Sequence, residues 1–293
     1  MTTPAAASSP QEQPMNGGTS APSRLSLNQA TIKYADLTEA LAVTSRASIT
    51  SIGTWREPVQ NVGLPEAVKM IEGSGLRVSS HCRGGFFTTE EGPIRRASME
   101  DNKVALDEAA ALGAPALVLV AGGLPEGSRD LVGARERVRD AIGELAPYAK
   151  SAGVTLAIEP LHPMYVSDRA VISTLGQALD IAEQFDIESV GVVVDSFHVW
   201  WDPTLFDQIA RAGARIASYQ VCDWVTPLAS DVLLSRGMMG DGHIDFGPLT
   251  TAVANAGYVG DIEVEIFNQA VWDTPYDEVA RRVVETFAQY VAE

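Results

Sequence analysis

Eight times between residues 25 and 291 a short apolar run gives way to a longer stretch with helical spacing, and this alternation restricts the fold more than any other property of the chain. The apolar runs are residues 25–32, 48–55, 76–80, 114–120, 154–159, 190–195, 216–222 and 261–266. Helical patterns follow at 37–47, 65–73, 94–112, 130–151, 174–185, 204–212, 247–256 and 276–291. Runs this short and this rich in branched aliphatics suit strands buried on both faces, the condition of a parallel sheet covered by helices. Pro65 can open one helix, and Gly113 and Gly153 can close two others. Eight evenly spaced βα units predict an α/β chain forming a single (β/α)8 TIM barrel. An open doubly wound sheet rarely needs so many.

Residues 1–24 are rich in Ala, Ser, Pro, Gln, Gly and Thr and have little to bury, so they read as a disordered tail before a barrel over 25–293. The formal net charge of -17 argues against a nucleic acid or an anionic membrane as partner. No run reaches the roughly 18–20 apolar residues of a membrane span, and no charged segment followed by an apolar core marks a signal peptide. A cytoplasmic protein is expected, with Cys82 and Cys222 as reduced thiols.

Three of the apolar runs end in carboxylates. Residues 154–159 close on Glu159, residues 191–198 read Gly-Val-Val-Val-Asp-Ser-Phe-His, and residues 261–265 read Asp-Ile-Glu-Val-Glu. A charge at the end of a buried strand is costly unless it is paired, and a barrel gathers the C-terminal ends of its strands at one face. The candidates at that face are His81, Glu159, Asp195, His198, Gln220, Asp223, Glu263 and Glu265. Glu263 and Glu265 share a face by the period of two, and Glu265 lies nearer the strand end. Glu159, Asp195 and Glu265 with the amide oxygen of Gln220 would form an all-oxygen site for one divalent cation, Mn2+ first, with Mg2+ or Co2+ as alternatives to it. The plainer reading of each carboxylate is a helix cap or a solvated rim residue. His81 and His198 can equally be loop residues bonded to backbone. Trp200, Trp201 and Trp272 suit either packing at the barrel mouth or a wall for substrate. The loop 226–243, expected to lack regular structure, carries Arg236, which suits an anchor for substrate or a partner for a surplus carboxylate.

The segments Ile158-Glu159-Pro160, Val194-Asp195-Ser196-Phe197-His198, Gln220-Val221-Cys222-Asp223, Gly240 to Phe246 and Gly260 to Glu265, in this order and spacing, resemble the xylose-isomerase-like barrel superfamily in its sugar phosphate isomerase/epimerase branch. The resemblance covers roughly residues 25–291. It implies metal ligands at Glu159, Asp195, Gln220 and Glu265. Gln220 stands where many members have histidine, and in this it is similar to hydroxypyruvate isomerase. The implied reaction is proton transfer next to the carbonyl of a sugar through a metal-stabilised enediolate, with Glu159 and Glu265 as base and acid. His198 and His162 are implied to position or protonate an oxygen. Trp55, His81, Trp200, Asp223 and Arg236 are the expected substrate contacts, Arg236 standing in for a family arginine with no clean counterpart here. The same chemistry on a keto-sugar or 3-keto-glycoside would give a lyase, for which Trp55, Phe86, Phe87, Trp200 and Trp201 would suit an aglycone. A sugar-binding barrel without activity, or a subunit completed by a partner, is a third reading, and a homo- or hetero-oligomer is compatible with each. An endonuclease of the same fold would need many histidines and a basic surface; four histidines and a charge of -17 speak against it.

Overall fold

The computed structural model describes residues 21–291. Residues 1–20, most of the expected tail, lie outside them. Eight parallel strands close a barrel: β1 (Leu25–Asn28), β2 (Ser51–Trp55), β3 (Arg77–Gly85), β4 (Ala116–Val120), β5 (Thr155–Glu159), β6 (Val190–Asp195), β7 (Ile216–Val221) and β8 (Ile262–Val264). They run in the order β1-β8-β7-β6-β5-β4-β3-β2, with the helices outside. The single (β/α)8 barrel expected from the alternation is therefore the fold.

Strand periodicity decides which side chains reach the interior. On β6, Val190, Val192 and Val194 join the large core between strands and helices, whereas Val193 packs inside the barrel with Cys82, Ala116, Val118 and Ala157. Asp195 shares the parity of Val193 and so faces inward. The same parity brings Glu159 inward beyond Ala157, and Glu263 inward on β8.

Glu263 is buried in the lower layer of the barrel. It accepts hydrogen bonds from Asn28 Nδ2 at 2.6 Å, from Ser80 Oγ at 2.9 Å and from Gln220 Nε2 at 3.2 Å, and Ser79 adds another. Burial pushes its carboxyl up, and these donors work against that shift. The room for it comes from β2: a Cβ at Gly53 would lie 2.5 Å from the Glu263 carboxyl carbon.

Several boundaries differ from expectation for local reasons. β1 stops at Asn28 because its side chain accepts from the Ala30 N–H and opens a 3-10 turn over Gln29–Ile32. β3 runs on past residue 80, where the third apolar run ends, through His81 to Gly85, because residues up to Gly85 pair with β4. The loop 226–243 is not structureless: Arg236–Gly237 pairs with Asp223–Trp224 as an antiparallel ribbon. Helices Arg56–Val62, Ser196–Val199 and Gln269–Trp272 were not anticipated; two have only four residues, too few to show a period. Among the described residues no helix is long and apolar enough to cross a membrane.

Candidate active site

Glu159 and Asp195 are the last residues of β5 and β6, and Glu265 follows β8 directly, so three buried carboxylates meet at the C-terminal mouth. Asp195 also opens helix Ser196–Val199, its Oδ1 accepting from the Phe197 N–H at 2.8 Å. That helix carries His198, whose Nε2 lies 3.9 Å from both Glu159 Oε1 and Asp195 Oδ2. One ligand atom from each of Glu159, Asp195 and His198 falls within 4.8 Å of the others.

A fourth charge enters from the ribbon. Arg236 is 2% exposed. Its Nη1 donates to Asp195 Oδ2 at 2.9 Å, to Glu265 Oε2 at 3.0 Å and to the Glu265 carbonyl at 3.2 Å. Its guanidinium lies over the rings of Phe197 and Phe267, 4.8 and 5.2 Å from their centroids. Both sequence readings of this residue hold part of the geometry, since Arg236 pairs with surplus carboxylates and also lines the cavity.

Charge does not balance in this cluster. With every group ionised, three carboxylates face one guanidinium, and at close range such repulsion is worth several kcal/mol per pair. Burial, then the charges of Asp195 and Glu265, push the Glu159 carboxyl well up. Burial pushes Glu265 up to about 8, although Arg236 pulls the other way. His198 is held neutral by burial and by Arg236. Its Nδ1 faces the His162 N–H at 3.2 Å and its Nε2 faces Arg236 Nη2 at 2.9 Å. A neutral imidazole has one lone pair for two donors, so one donor is unmet. Arg236 Nε is buried with no partner either.

The cluster fits a divalent cation. With its carboxylates ionised the cluster is net negative, and its donors are carboxylate oxygens with the imidazole nitrogen of His198 beside them. Gln220 supplies an independent sign: its Nε2 is spent on Glu263, and its Oε1 is buried with no hydrogen-bond donor. An orphaned, buried amide oxygen on β7, the strand between those of Asp195 and Glu265, is an acceptor that a cation would satisfy.

A cavity of about 800 Å3 opens over the cluster. Glu159, His198, Arg236 and Glu265 line its inner end with Cys82, and Tyr34, Trp55, Phe86 and Phe267 line its wall. Trp55 is held there by Nε1 donating to Asn28 Oδ1 at 2.8 Å. Cys82 was not among the expected site residues; ending the third strand at residue 80 hid its inward parity with Ser80.

Four expected contacts lie elsewhere. His81 is fully buried and faces outward from the barrel, its Nδ1 2.9 Å from Thr54 Oγ1 and its Nε2 3.5 Å from Glu108 on helix Pro93–Ala111. Asp223 holds backbone instead of lining the cavity: Oδ1 accepts from the N–H groups of Trp224 and Ile244, and Oδ2 from those of Gly240 and Gly242, all within 2.8–2.9 Å. His162 accepts from the Met164 N–H and packs its ring against Trp201 and Trp224; only its backbone N–H reaches the site, on His198. Trp200 packs against Trp224, outside the cavity lining.

A family model described as xylose isomerase-like TIM barrel matches residues 45–290. The crystal structure of protein SMc04130 from Sinorhizobium meliloti is 46% identical, covering 92% of this chain and 99% of that one with a TM-score of 0.89. An inosose isomerase of Bacillus licheniformis is 26% identical over 156 residues, 52% of this chain and 54% of that one. An L-ribulose 3-epimerase of Mesorhizobium japonicum is 25% identical over 134 residues, 45% of this chain and 41% of that one. The chain spans about half the length of the curated relatives it matches.

Proposed function

We propose, on the premise that the chain belongs to the xylose isomerase-like TIM barrel family, that it is a divalent-cation-dependent isomerase or epimerase of a sugar or keto-sugar. The observation that carries this reading is the buried trio Glu159, Asp195 and Glu265 at the ends of β5, β6 and β8, with the orphaned Gln220 oxygen on the intervening β7. The naming of relatives as inosose isomerase and L-ribulose 3-epimerase supports the reaction class.

Glu159, Asp195, Gln220 and Glu265 would hold the cation, with Mn2+ preferred by an all-oxygen set of this kind. When bound, it supplies Lewis acidity toward the oxygens of the substrate. The chain's own groups move the proton. Glu159 and Glu265 come from strands separated by β6 and β7, and burial pushes both carboxyls up, that of Glu265 to about 8. One removes the proton next to the carbonyl and the other returns it, which inverts a centre or shifts the carbonyl by one carbon. The spare donors of Arg236 and the neutral His198 would orient the oxygen on which charge develops.

The test is metal content by mass spectrometry of the purified protein and of Asp195→Ala, followed by a ketose screen with Glu159→Gln and Glu265→Gln. About one Mn, Mg or Co per chain, lost in Asp195→Ala, is expected. So is a fall in turnover of at least about a hundredfold in each glutamine variant. No metal even after Mn2+ loading, or normal rates in both glutamine variants, overturns the reading.

The size of the cavity favours one second reading. At about 800 Å3 with an aromatic wall, it falls within the range that encloses ligands larger than a free sugar. A 3-keto-glycoside would fill it. Proton removal next to its keto group would form a C=C bond and expel the β substituent with its bonding pair. Elimination products from such a glycoside, in place of an epimer, would establish that reading.

A further inference from the structure

We propose that Arg236 is a resident counter-ion of the carboxylate centre, fixed in place by the protein, and that it sets which divalent cation the centre accepts and how tightly. The proposal rests on the reading of Glu159, Asp195, Gln220 and Glu265 as a cation site.

The guanidinium is held from several directions. Two aromatic rings flank it. The ribbon that carries it is anchored by the four N–H bonds to Asp223, and the Arg236 carbonyl accepts from Asn268 Nδ2 at 2.8 Å. Its place does not depend on a chance rotamer of a long exposed side chain.

Atom-by-atom accounting shows what it leaves free. Arg236 takes Oδ2 of Asp195 and Oε2 of Glu265, and the Phe197 N–H takes Oδ1 of Asp195. Among the described residues no N–H donates to Glu159 or to Oε1 of Glu265, and Gln220 Oε1 has no partner. Glu265 keeps Oε1 free for a cation, whereas each Asp195 oxygen already accepts one hydrogen bond and offers a cation only its remaining lone pair, so engaging either carboxylate through both oxygens means competing with Arg236. Ca2+ draws on six to eight oxygens and commonly takes carboxylates through both, whereas Mg2+ and Mn2+ settle for six ligands taken singly. The fixed positive charge also lowers the affinity for any cation beside it. Arg236 thus disfavours Ca2+ by competing for carboxylate lone pairs and keeps the binding of smaller ions reversible by charge.

The experiment is calorimetric titration of chelator-treated full-length protein with Mn2+ and with Ca2+, for wild type, Arg236→Gln and Arg236→Met. Wild type is expected to prefer Mn2+ over Ca2+ by at least about a hundredfold. Each neutral variant is expected to bind Mn2+ at least about tenfold tighter and to gain more for Ca2+ than for Mn2+. A wild-type protein that binds Ca2+ as tightly as Mn2+ overturns the proposal without need of any variant. Unchanged or weaker Mn2+ binding in the variants also overturns it, because Arg236 would then be a support for the ligands and no competitor. Absence of Mn2+ binding in wild type and variants alike overturns the cation reading itself, and this proposal with it.

Discussion

Asp223→Asn separates a residue that builds the site from one that touches substrate. The Asp223 carboxylate is fully buried and accepts four backbone N–H groups, two on each oxygen. Asparagine keeps one acceptor oxygen and turns the other into an NH2 group facing two N–H donors. Two bonds to a charged acceptor are lost, each worth roughly 1.5–3 kcal/mol, so the variant is expected to lose about 3–6 kcal/mol of stability. A domain of this size shifts by about 2 °C per kcal/mol, which gives a fall in Tm of about 6–12 °C. The assay is thermal unfolding followed by far-UV circular dichroism, beside steady-state kinetics. The ribbon also carries Arg236, so lost stability and lost turnover should appear together. A Tm within about 2 °C of wild type, with a raised KM as the sole defect, would refute the argument and return Asp223 to the substrate.

Other changes test other layers. Gly53→Ala places a Cβ 2.5 Å from the Glu263 carboxyl carbon and should cost about 1–3 kcal/mol in urea unfolding; an unchanged midpoint would show that the lower layer has slack. His162→Ala removes a ring that packs outside the cavity, so kcat and KM should stay within about threefold of wild type, and a larger loss in kcat would restore His162 as an acid or base. Glu108 is held down at about 2, burial being outweighed by hydrogen bonds from His81, Arg56 and Gln60. A carboxyl lowered from its ordinary 4.5 adds stability that is present above that pH and disappears as pH falls toward 2. Wild type should therefore lose Tm more steeply than Glu108→Gln over this window, and parallel curves would contradict the assignment.

The centre was legible where chemistry and chain order coincide. Glu159, Asp195 and Glu265 each stand at the C-terminal end of a short strand-like segment, and a charge there has few destinations other than the barrel mouth. Direction across a strand was less legible. His81 and Cys82 are neighbours in sequence, yet one faces a helix and the other the cavity, and a strand that seemed to end at residue 80 gave no parity by which to sort them. Least legible were partners far along the chain. Asp223 meets N–H groups up to 21 residues away, and Arg236 meets an aspartate 41 residues away, distances at which no local pattern survives.

The charged groups at the inner end come from β5 to β8 and the segments just beyond them; the first half of the chain adds Cys82 there and Tyr34, Trp55 and Phe86 to the wall. The proposed acid–base groups are therefore written in the second half of the polypeptide, while the wall draws on both halves, Phe267 included. Recombining the first four βα units among homologues would change which molecule is admitted and leave the proton-transfer apparatus intact. Selection can thus reshape much of the wall without touching the proposed acid–base groups.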